Sequence, residues 1–538
     1  MKRLGLLLLI VGLAAPVAVG QSPSWKTQAR QLAPLPDLVS NQVEVLAPAG
    51  DSLWMGPLLT VYLEPDDRPR PEDRLLIADV PALNEGDDVV FALEARNASP
   101  ARSLVWAGLA FDTGGGVAGA GGFLVSSDGG TSFTERPTQL DAPADTTVAY
   151  GGSTLPAVPI TQQGDSAPQD LAFGAQGDTA WVAGLRSGIR WVHVDSTDWT
   201  RAVLPPDTAR SVNPATPTDF LVAPPLDDGR GFLNHVGFSV LVDETGTVWA
   251  GTGAGVNRSR PASVTGTGHR AWRRFGVADT TGGLTGALVV ALHEQARPGR
   301  NPIWMATWPG QDREGPLQRF GVTVTPDGGD TFRQTLIGER IFDLAARRDR
   351  VYAAGQTGLF VSDDQGQTWR SIEDFPLQTD ERVLPPEVTP QTVATTDAAL
   401  WVGTGDGLLR LDRADEPRLL TGSPEWQLFR AETPVNPEEP SEEDPDVSTY
   451  AYPNPFVPSD DQLVRIVYEL QEARTVEVTV YDYGMNRVWS TSQRKSAGQQ
   501  ETVWDGTDDR GLRVPTGTYF YQVEFGDTTA QGKILLAN

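Results

Sequence analysis

Short alternating runs of apolar and polar residues, broken by glycine or aspartate, extend over most of the chain. Residues 341–372 show the pattern clearly: IFDLAA is followed by polar RRDR, then VYAAG, TGLFVS, an acidic turn and TWRSI. This order predicts four short strands joined by tight turns. Four sequential antiparallel strands form one blade of a β-propeller.

The same order recurs along the chain, with one aromatic residue in the second strand of each copy. The copies carry Trp54, Trp106, Trp181, Trp249, Trp304, Tyr352 and Trp401. A blade takes about 40 to 50 residues, so the wider gaps between these anchors predict loop insertions. The sequence therefore predicts an all-β chain containing a β-propeller of seven blades. Six or eight blades are the alternatives, because the first copy is faint.

An acidic turn occurs three times in the sequence. The copies are VSSDGGTSFTE from Val125, VTPDGGDTFRQ from Val324 and VSDDQGQTWRS from Val361. Recurrence favours architecture over catalysis, since an active-site loop normally occurs once whereas every copy of a repeat needs its turn. The carboxylate can accept main-chain N–H bonds and the glycine can take a positive φ. The aromatic ring is expected to pack between neighbouring sheets. The predicted structural residues are Ser126, Asp128, Gly130 and Phe133; Thr325, Asp327, Gly329 and Phe332; and Ser362, Asp364, Gly366 and Trp369.

These turns resemble the Asp-box, or BNR repeat, of sialidases, sortilin-type receptors, xyloglucanase-type glycosidases and photosystem II assembly factors. The resemblance implies a propeller whose boxes are peripheral and structural. The unit LWVGTGDGLLRL at 400–411 is also similar to the two-component-regulator propeller repeat. Both resemblances concern the fold.

The beginning of the chain has the pattern of a secretory signal peptide. Lys2 and Arg3 precede the apolar run Leu4 to Leu13, and small residues allow cleavage near Gly20-Gln21. Without cysteine, the chain has no disulfide framework and no thiolate metal site. The protein is expected to be secreted or on the cell surface, without an integral membrane segment.

The formal charge of −27 makes nucleic acid a poor partner, because phosphates are not neutralised. An acidic surface stays hydrated and repels copies of itself. Such acidity is typical of proteins from high-salt habitats, and an ordinary acidic secreted protein is the alternative.

The composition changes after Phe429. The predicted domains are a signal peptide at 1–20, a propeller at 21–430, an acidic Pro/Glu-rich linker at 431–449 and a small β-sandwich at 450–538.

The last region, 450–538, resembles the FlgD-like Ig domain that serves as a C-terminal sorting module in type IX secretion. The matching residues are Pro453, Asn454, Pro455, Phe456, Trp504, Asp505, Gly506, Gly517 and Tyr519. It departs from that pattern in ending KILLAN, with a single late Lys533, where sorting domains often carry more basic residues. The resemblance implies contact with secretion machinery.

No catalytic constellation stands out from the sequence. His193, His235, His269 and His293 lack metal-ligand spacing, and there is no Gly-x-Ser-x-Gly elbow or phosphate loop in a strand–helix context. Neither catalytic residues nor a metal or cofactor are predicted.

The sequence favours a non-catalytic propeller that binds a glycan or protein through loops on one face. A secreted carbohydrate-active hydrolase, sialidase- or xyloglucanase-like, is the alternative, and the surplus of carboxylates nominates no pair for it.

Overall fold

The structure is a computed structural model. It describes residues 32–35, 38, 40–50, 52–63, 75–78, 89–99, 102–113, 118–260, 269–277, 282–299, 301–310, 317–379, 382–431, 449–526 and 528–537. The predicted signal peptide and nearly all of the predicted linker lie outside these residues.

The chain forms two compact units. The first comprises Met1–Glu373 and Thr389–Gly422, and the second comprises Asp374–Val388 and Ser423–Asn538. The second unit thus includes a segment that the sequence places inside the propeller. The domain boundaries at 20, 430 and 449 stay predictions.

The first unit is built from small antiparallel sheets. The first three are β1 to β5 (Leu32–Leu35, Val45–Ala49, Ser52–Gly56, Thr60–Leu63, Leu75–Ala78), β6 to β9 (Val89–Ser99, Arg102–Asp112, Ala118–Ser126, Thr134–Arg136) and β12 to β15 (Pro168–Phe173, Thr179–Gly184, Gly188–His193, Thr200–Arg201). A separate hairpin, β10 and β11, spans Thr147–Tyr150 and Ser153–Pro156.

Four further sheets follow in the same unit. They are β16 to β20 (Ser211–Val212, Gly237–Val242, Val248–Thr252, Gly255–Ser259, Trp272–Phe275), β21 to β24 (Leu288–Glu294, Ile303–Trp308, Gly321–Thr325, Arg333–Thr335), β25 to β28 (Ile341–Arg347, Arg350–Gly355, Gly358–Ser362, Arg370–Ile372), and a sheet containing β29 to β31 (Pro390–Thr395, Ala399–Thr404, Gly407–Asp412). Short 3-10 turns lie at Gln163–Asp165, Leu233–His235 and Glu416–Leu420.

Each of these seven sheets contributes one edge strand, termed its first strand, to a closed ring. In order they are β2, β6, β12, β17, β21, β25 and β29; each contacts the next, and β29 contacts β2. The anchor aromatics lie in the adjacent second strands and are all buried. Apolar clusters form between consecutive sheets, as where Trp106 of one sheet meets Phe173 of the next. Sheet faces are thus buried against neighbouring sheets, which is the packing of a propeller.

The second unit holds a two-sheet sandwich. One sheet has the order β33-β34-β37 and the other β36-β35-β38-β39, and both contribute to one core cluster. The strands are β33 (Thr449–Tyr452), β34 (Val464–Leu470), β35 (Arg474–Tyr481), β36 (Arg487–Lys495), β37 (Gly498–Trp504), β38 (Gly517–Phe525) and β39 (Thr528–Leu536). A one-turn helix α1 spans Pro458–Asp461, and β32 spans Gln427–Phe429. The prediction of a propeller followed by a small β-sandwich is confirmed.

Two segments that flank the last sheet of the first unit belong to the second. Phe375 and Trp426 pack edge-to-face with ring centroids 5.3 Å apart, and the Trp426 N–H donates to Pro376 O at 2.7 Å. Arg430, which is 2% exposed, donates to the Glu501 carboxylate of β37 at 2.9 Å. Buried apolar contact therefore joins the two segments to each other, and a buried ion pair attaches the later one to the sandwich.

Candidate functional site

The three acidic turns adopt one hydrogen-bonding arrangement. In the third, the hydroxyls of Ser362 and Thr368 donate to Asp364 at 2.8 and 2.6 Å, and the Gly366 N–H donates to Ser362 Oγ at 2.8 Å. The same set recurs around Asp128, with Ser126, Gly130 and Ser132, and around Asp327, with Thr325, Gly329 and Thr331. Each carboxylate thus closes its own turn, and the three turns lie in three different sheets.

The turn donors stabilise the ionised aspartates. Hydrogen bonds from the Thr368 hydroxyl and N–H lower the pKa of Asp364 to about 2. Burial alone would raise the pKa of Asp128 and Asp327, yet hydrogen bonds from Ser132 and Thr331 lower both. A carboxylate whose charge is committed to local donors is poorly suited to accept a substrate proton at neutral pH.

Each acidic turn also contacts the preceding sheet. Phe133 packs on Trp54, Phe332 on Phe275 and Trp369 on Trp304, with ring centroids 5.8, 5.0 and 6.0 Å apart. Arginines of the preceding sheet donate to turn carbonyls: Arg333 to Gly366 and Gln365, and Arg258 to Gly328. Gly366 has φ +76°, and a Cβ there would lie 2.9 Å from the Trp304 ring. The turns therefore lie at sheet–sheet contacts, away from the centre of the ring.

Removing one turn carboxylate should destabilise the first unit and leave ligand binding unchanged. Asp364→Ala loses the acceptor for Ser362, Gln367 and Thr368, so we expect unfolding to be easier by about 1–2 kcal/mol. Because the folded pKa lies below the usual value, this stabilisation is present above pH 4 and is lost as pH falls towards 2. Thermal unfolding from pH 2 to 7 measures it, with the exposed neighbour variant Asp363→Ala as control. Equal unfolding temperatures for the two variants would contradict the structural role.

The sandwich motif residues come together around one end of β39. Asn454 donates to Lys533 O and accepts from Leu535 N–H, both at 2.9 Å, and the Phe456 N–H donates to Leu535 O at 2.8 Å. Pro453 and Pro455 flank Asn454. This segment therefore covers an otherwise open strand edge.

The remaining motif residues support the same core. Trp504 is 1% exposed, packs on Phe456 and Tyr519, and donates from Nε1 to Thr507 O at 2.7 Å. Asp505 accepts from the Thr507 N–H and hydroxyl, and Gly506 has φ +78°. The Tyr519 hydroxyl donates to Pro515 O at 2.6 Å, and Gly517 begins β38. These side chains build the domain, which leaves recognition to other surfaces.

A tyrosine, a glutamate and two arginines meet in the first unit, the residue types that a sialidase site requires. Arg350 and Arg413 bind the Glu416 carboxylate, which also accepts a hydrogen bond from the Tyr352 hydroxyl. Tyr352 is 0% exposed, and burial together with the Glu416 charge raises its pKa. A buried, protonated tyrosine cannot attack a substrate, so this cluster is a structural ion pair.

A cavity of about 330 Å³ lies at the centre of the ring, lined by the first strands of all seven sheets. Its charged and titratable wall residues are Glu44, Glu94, Arg96, Asp170, His293, Glu294 and Asp343. The cavity is near the lower end of the range for small-molecule sites, about 300 to 1,000 Å³. It is the candidate functional site.

Two of the wall carboxylates accept N–H groups from the first strand of the next sheet. Asp170 follows a β-bulge in β12 and accepts from Leu171 N–H and from Val240 N–H of the next sheet, both at 2.9 Å. Asp343 follows the equivalent bulge in β25 and accepts from Leu344 N–H at 2.8 Å and Val393 N–H at 3.0 Å. Both therefore join neighbouring first strands.

Glu94 and His293 occupy equivalent positions in the ring, each paired with its sheet's anchor tryptophan. His293 Nε2 accepts the Ala346 N–H at 2.9 Å, and burial lowers its pKa, so the neutral ring carries its proton on Nδ1. Glu94 makes no hydrogen bond to any described residue. Burial and the nearby Asp170 charge raise the pKa of Glu94 to about 8, against a smaller lowering effect of Arg96. Glu94 is therefore protonated at neutral pH.

Sequence reasoning did not identify these cavity residues. One signal was present, because Asp-Leu-Ala occurs at 170–172 and again at 343–345. Its recurrence within apolar first strands marks the bulge aspartates. Glu94 has no such signal.

None of the helices in the described part of the chain is long and apolar enough to cross a membrane. Within those same residues, no group of three or more His, Asp or Glu side chains is arranged to hold a metal ion.

Comparisons with known proteins bear mainly on the second unit. Among solved structures, a GH74 xyloglucanase from Xanthomonas campestris is 12% identical over 93% of this chain and 75% of its own, with a TM-score of 0.46. PorZ, a surface component of the type IX secretion system of Porphyromonas gingivalis, is 14% identical over 92% and 81%, with a TM-score of 0.30. At these scores the likenesses carry no functional conclusion. No curated protein sequence matches the chain. Residues 459–529 match the FlgD Ig-like domain family, so the sandwich near the C-terminal end of this sequence is a FlgD Ig-like domain.

Proposed function

We propose that this protein is a secreted or cell-surface, non-catalytic propeller that binds a glycan or protein ligand. The observation that carries the proposal is the central cavity, which all seven first strands line. Its bulge carboxylates, Asp170 and Asp343, accept main-chain N–H groups and are thereby fixed in the framework. The three acidic turns are closed on themselves and lie away from the cavity.

One observation favours the hydrolase alternative. Glu94 is protonated at neutral pH beside Asp170, and a glycosidase uses a protonated carboxyl together with an ionised one. The case is weakened because both oxygens of Asp170 already accept N–H groups, one at each oxygen.

Glycan-array binding of the mature chain, with hydrolysis assays on every bound glycan, tests the two functions. We expect retention of a ligand without product release. Product release that disappears in both Glu94→Gln and Asp170→Asn would establish the hydrolase. Failure to bind any glycan, together with failure to capture a protein ligand, would contradict the binding function.

The FlgD Ig-like domain is proposed to direct export or attachment through type IX secretion machinery. Removing residues 449–538 should abolish surface display in a host with that system. Strands β1 to β31, which form the first unit, all precede residue 449, so they are expected to stay folded. Surface labelling and protease resistance measure the two effects. Unchanged display of the truncated chain would contradict the export role.

A further inference from the structure

The wall of the central cavity is predominantly acidic. Arg96 is the one arginine among the described wall residues. It donates from both terminal nitrogens to Gly174 O and Ala175 O at 3.0 and 2.9 Å, so its charge is directed into a turn of the next sheet. His293 is neutral because burial lowers its pKa. A ligand that enters the cavity therefore meets mostly negative charge, which favours a cation.

Most polar groups of this wall already have partners. Asp170 and Asp343 accept main-chain N–H groups, and Glu294 accepts from Asn301 Nδ2 at 2.9 Å and from Glu244 N–H at 3.0 Å. Glu94 differs, because its carboxyl has no hydrogen-bond partner among the described residues. Glu94 is half-buried, and its exposed surface faces the cavity. A carboxyl that faces a cavity without a protein partner can hydrogen-bond to a ligand there.

We propose that the cavity binds an amino sugar whose primary ammonium group pairs with the Glu94 carboxyl. This inference rests on the proposed binding function and names the ligand class. A positive group at Glu94 offsets the repulsion from Asp170 and donates the hydrogen bonds that the carboxylate lacks. Glu94 gives up its proton to solvent when the ammonium group arrives, so net charge is conserved at the site. Within the described part of the chain, the charges that act on Glu94 are those of Asp170 on β12 and Arg96 on its own strand.

Other cavity residues suit a sugar ring. Gln169 and Thr395 line the cavity with neutral polar side chains that can meet hydroxyl groups. Leu241 and Leu292 are half-buried on the same wall and offer apolar contact for the C–H face of a pyranose. A metal ion fits less well, since no described group of three or more His, Asp or Glu side chains can hold one.

Titration calorimetry of the mature chain with D-glucosamine and N-acetyl-D-glucosamine at pH 6.5 tests this inference. The two sugars share a ring, and acetylation removes the charge. We expect glucosamine to bind at least about tenfold more tightly, the usual effect of one charge-assisted hydrogen bond. Measurements in two buffers of different ionisation enthalpy should show about one proton released per glucosamine bound.

Glu94→Gln should lose about tenfold or more in glucosamine affinity and release no proton. Glu373→Gln, an exposed exchange in the same unit, should behave as wild type, and thermal unfolding shows that both variants are folded. Equal affinity for the two sugars, unchanged binding by Glu94→Gln, or no binding of glucosamine would overturn the inference. Binding of Nα-acetyl-lysine methylamide without glucosamine would overturn the sugar assignment. Array binding of glycans that lack amino sugars would overturn the inference and leave the proposed function standing.

Discussion

Replacing Glu94 with glutamine is expected to stabilise the first unit at pH 9 and to leave its stability unchanged at pH 4. The carboxyl has an ordinary pKa of 4.5 and a folded pKa of about 8, raised by burial and by Asp170. Each pKa unit corresponds to about 1.4 kcal/mol, so the full effect is on the order of 3 to 5 kcal/mol. Glutamine resembles the protonated side chain in shape and cannot ionise.

The direction of the pH dependence follows from proton binding. Below pH 4.5 both the folded and unfolded chains hold the Glu94 proton, so the raised pKa does not change the free energy of unfolding. Between pH 4.5 and 8 the unfolded chain has released it and the folded chain has not, so stability falls as pH rises. Above pH 8 the folded side chain ionises beside Asp170, and the penalty is complete.

Thermal unfolding at pH 4, 7 and 9 measures this effect, with Glu373→Gln as the matched control. The unfolding temperature of Glu94→Gln should exceed that of wild type increasingly from pH 7 to 9. Curves for wild type and Glu94→Gln that stay parallel across this range would show that Glu94 titrates normally. In that case Glu94 would be ionised at neutral pH, and the hydrolase alternative would lose its protonated carboxyl.

The repeat could be predicted from sequence because its determinants are local. Each anchor aromatic lies within a few residues of its own turn, and the Ser-x-Asp-x-Gly turn closes through bonds spanning two to four residues. The pattern of one copy therefore identifies the others. The same locality explains why Trp504-Asp505-Gly506 is recognisable as a buried ring followed by a tight turn.

The candidate site could not be predicted because its determinants are distant in sequence. Glu94 lies within a run that indicates an ordinary strand, and its raised pKa depends on burial inside the ring and then on Asp170 in the next sheet. Likewise, no sequence pattern around Arg430 indicates that it pairs with Glu501, which is 71 residues away. Ring closure and domain packing bring these pairs together, and periodicity does not encode such pairings.

The second large effect is expected at Glu501. Its carboxylate accepts from Arg430 at 2.9 Å and from the Val383 N–H at 2.7 Å, and Arg465 lies 3.7 Å away. Arg430 and Arg465 have side chains only 2% and 5% exposed. Glu501→Ala would leave buried positive charge without its carboxylate, so we expect the second unit to lose about 3–5 kcal/mol of stability.

Two variants separate this buried pair from an ordinary ion pair. Arg474 forms a surface ion pair with Glu472 at 2.5 Å, and the Glu472 side chain is 73% exposed. Glu472→Ala removes this pair and should lower the free energy of unfolding by only about 0–1 kcal/mol. The double variant Arg430→Met with Glu501→Leu removes both charges and should recover much of the loss. Denaturant unfolding followed by hydrogen–deuterium exchange of strands β33 to β39 measures all three, because the chain's 15 tryptophans would mix the fluorescence of both units. If Glu501→Ala unfolds like Glu472→Ala, the segments 374–388 and 423–431 do not depend on this pair for their attachment to the sandwich. If it unfolds several kcal/mol more easily, the FlgD Ig-like domain is one part of a larger folding unit that includes both segments.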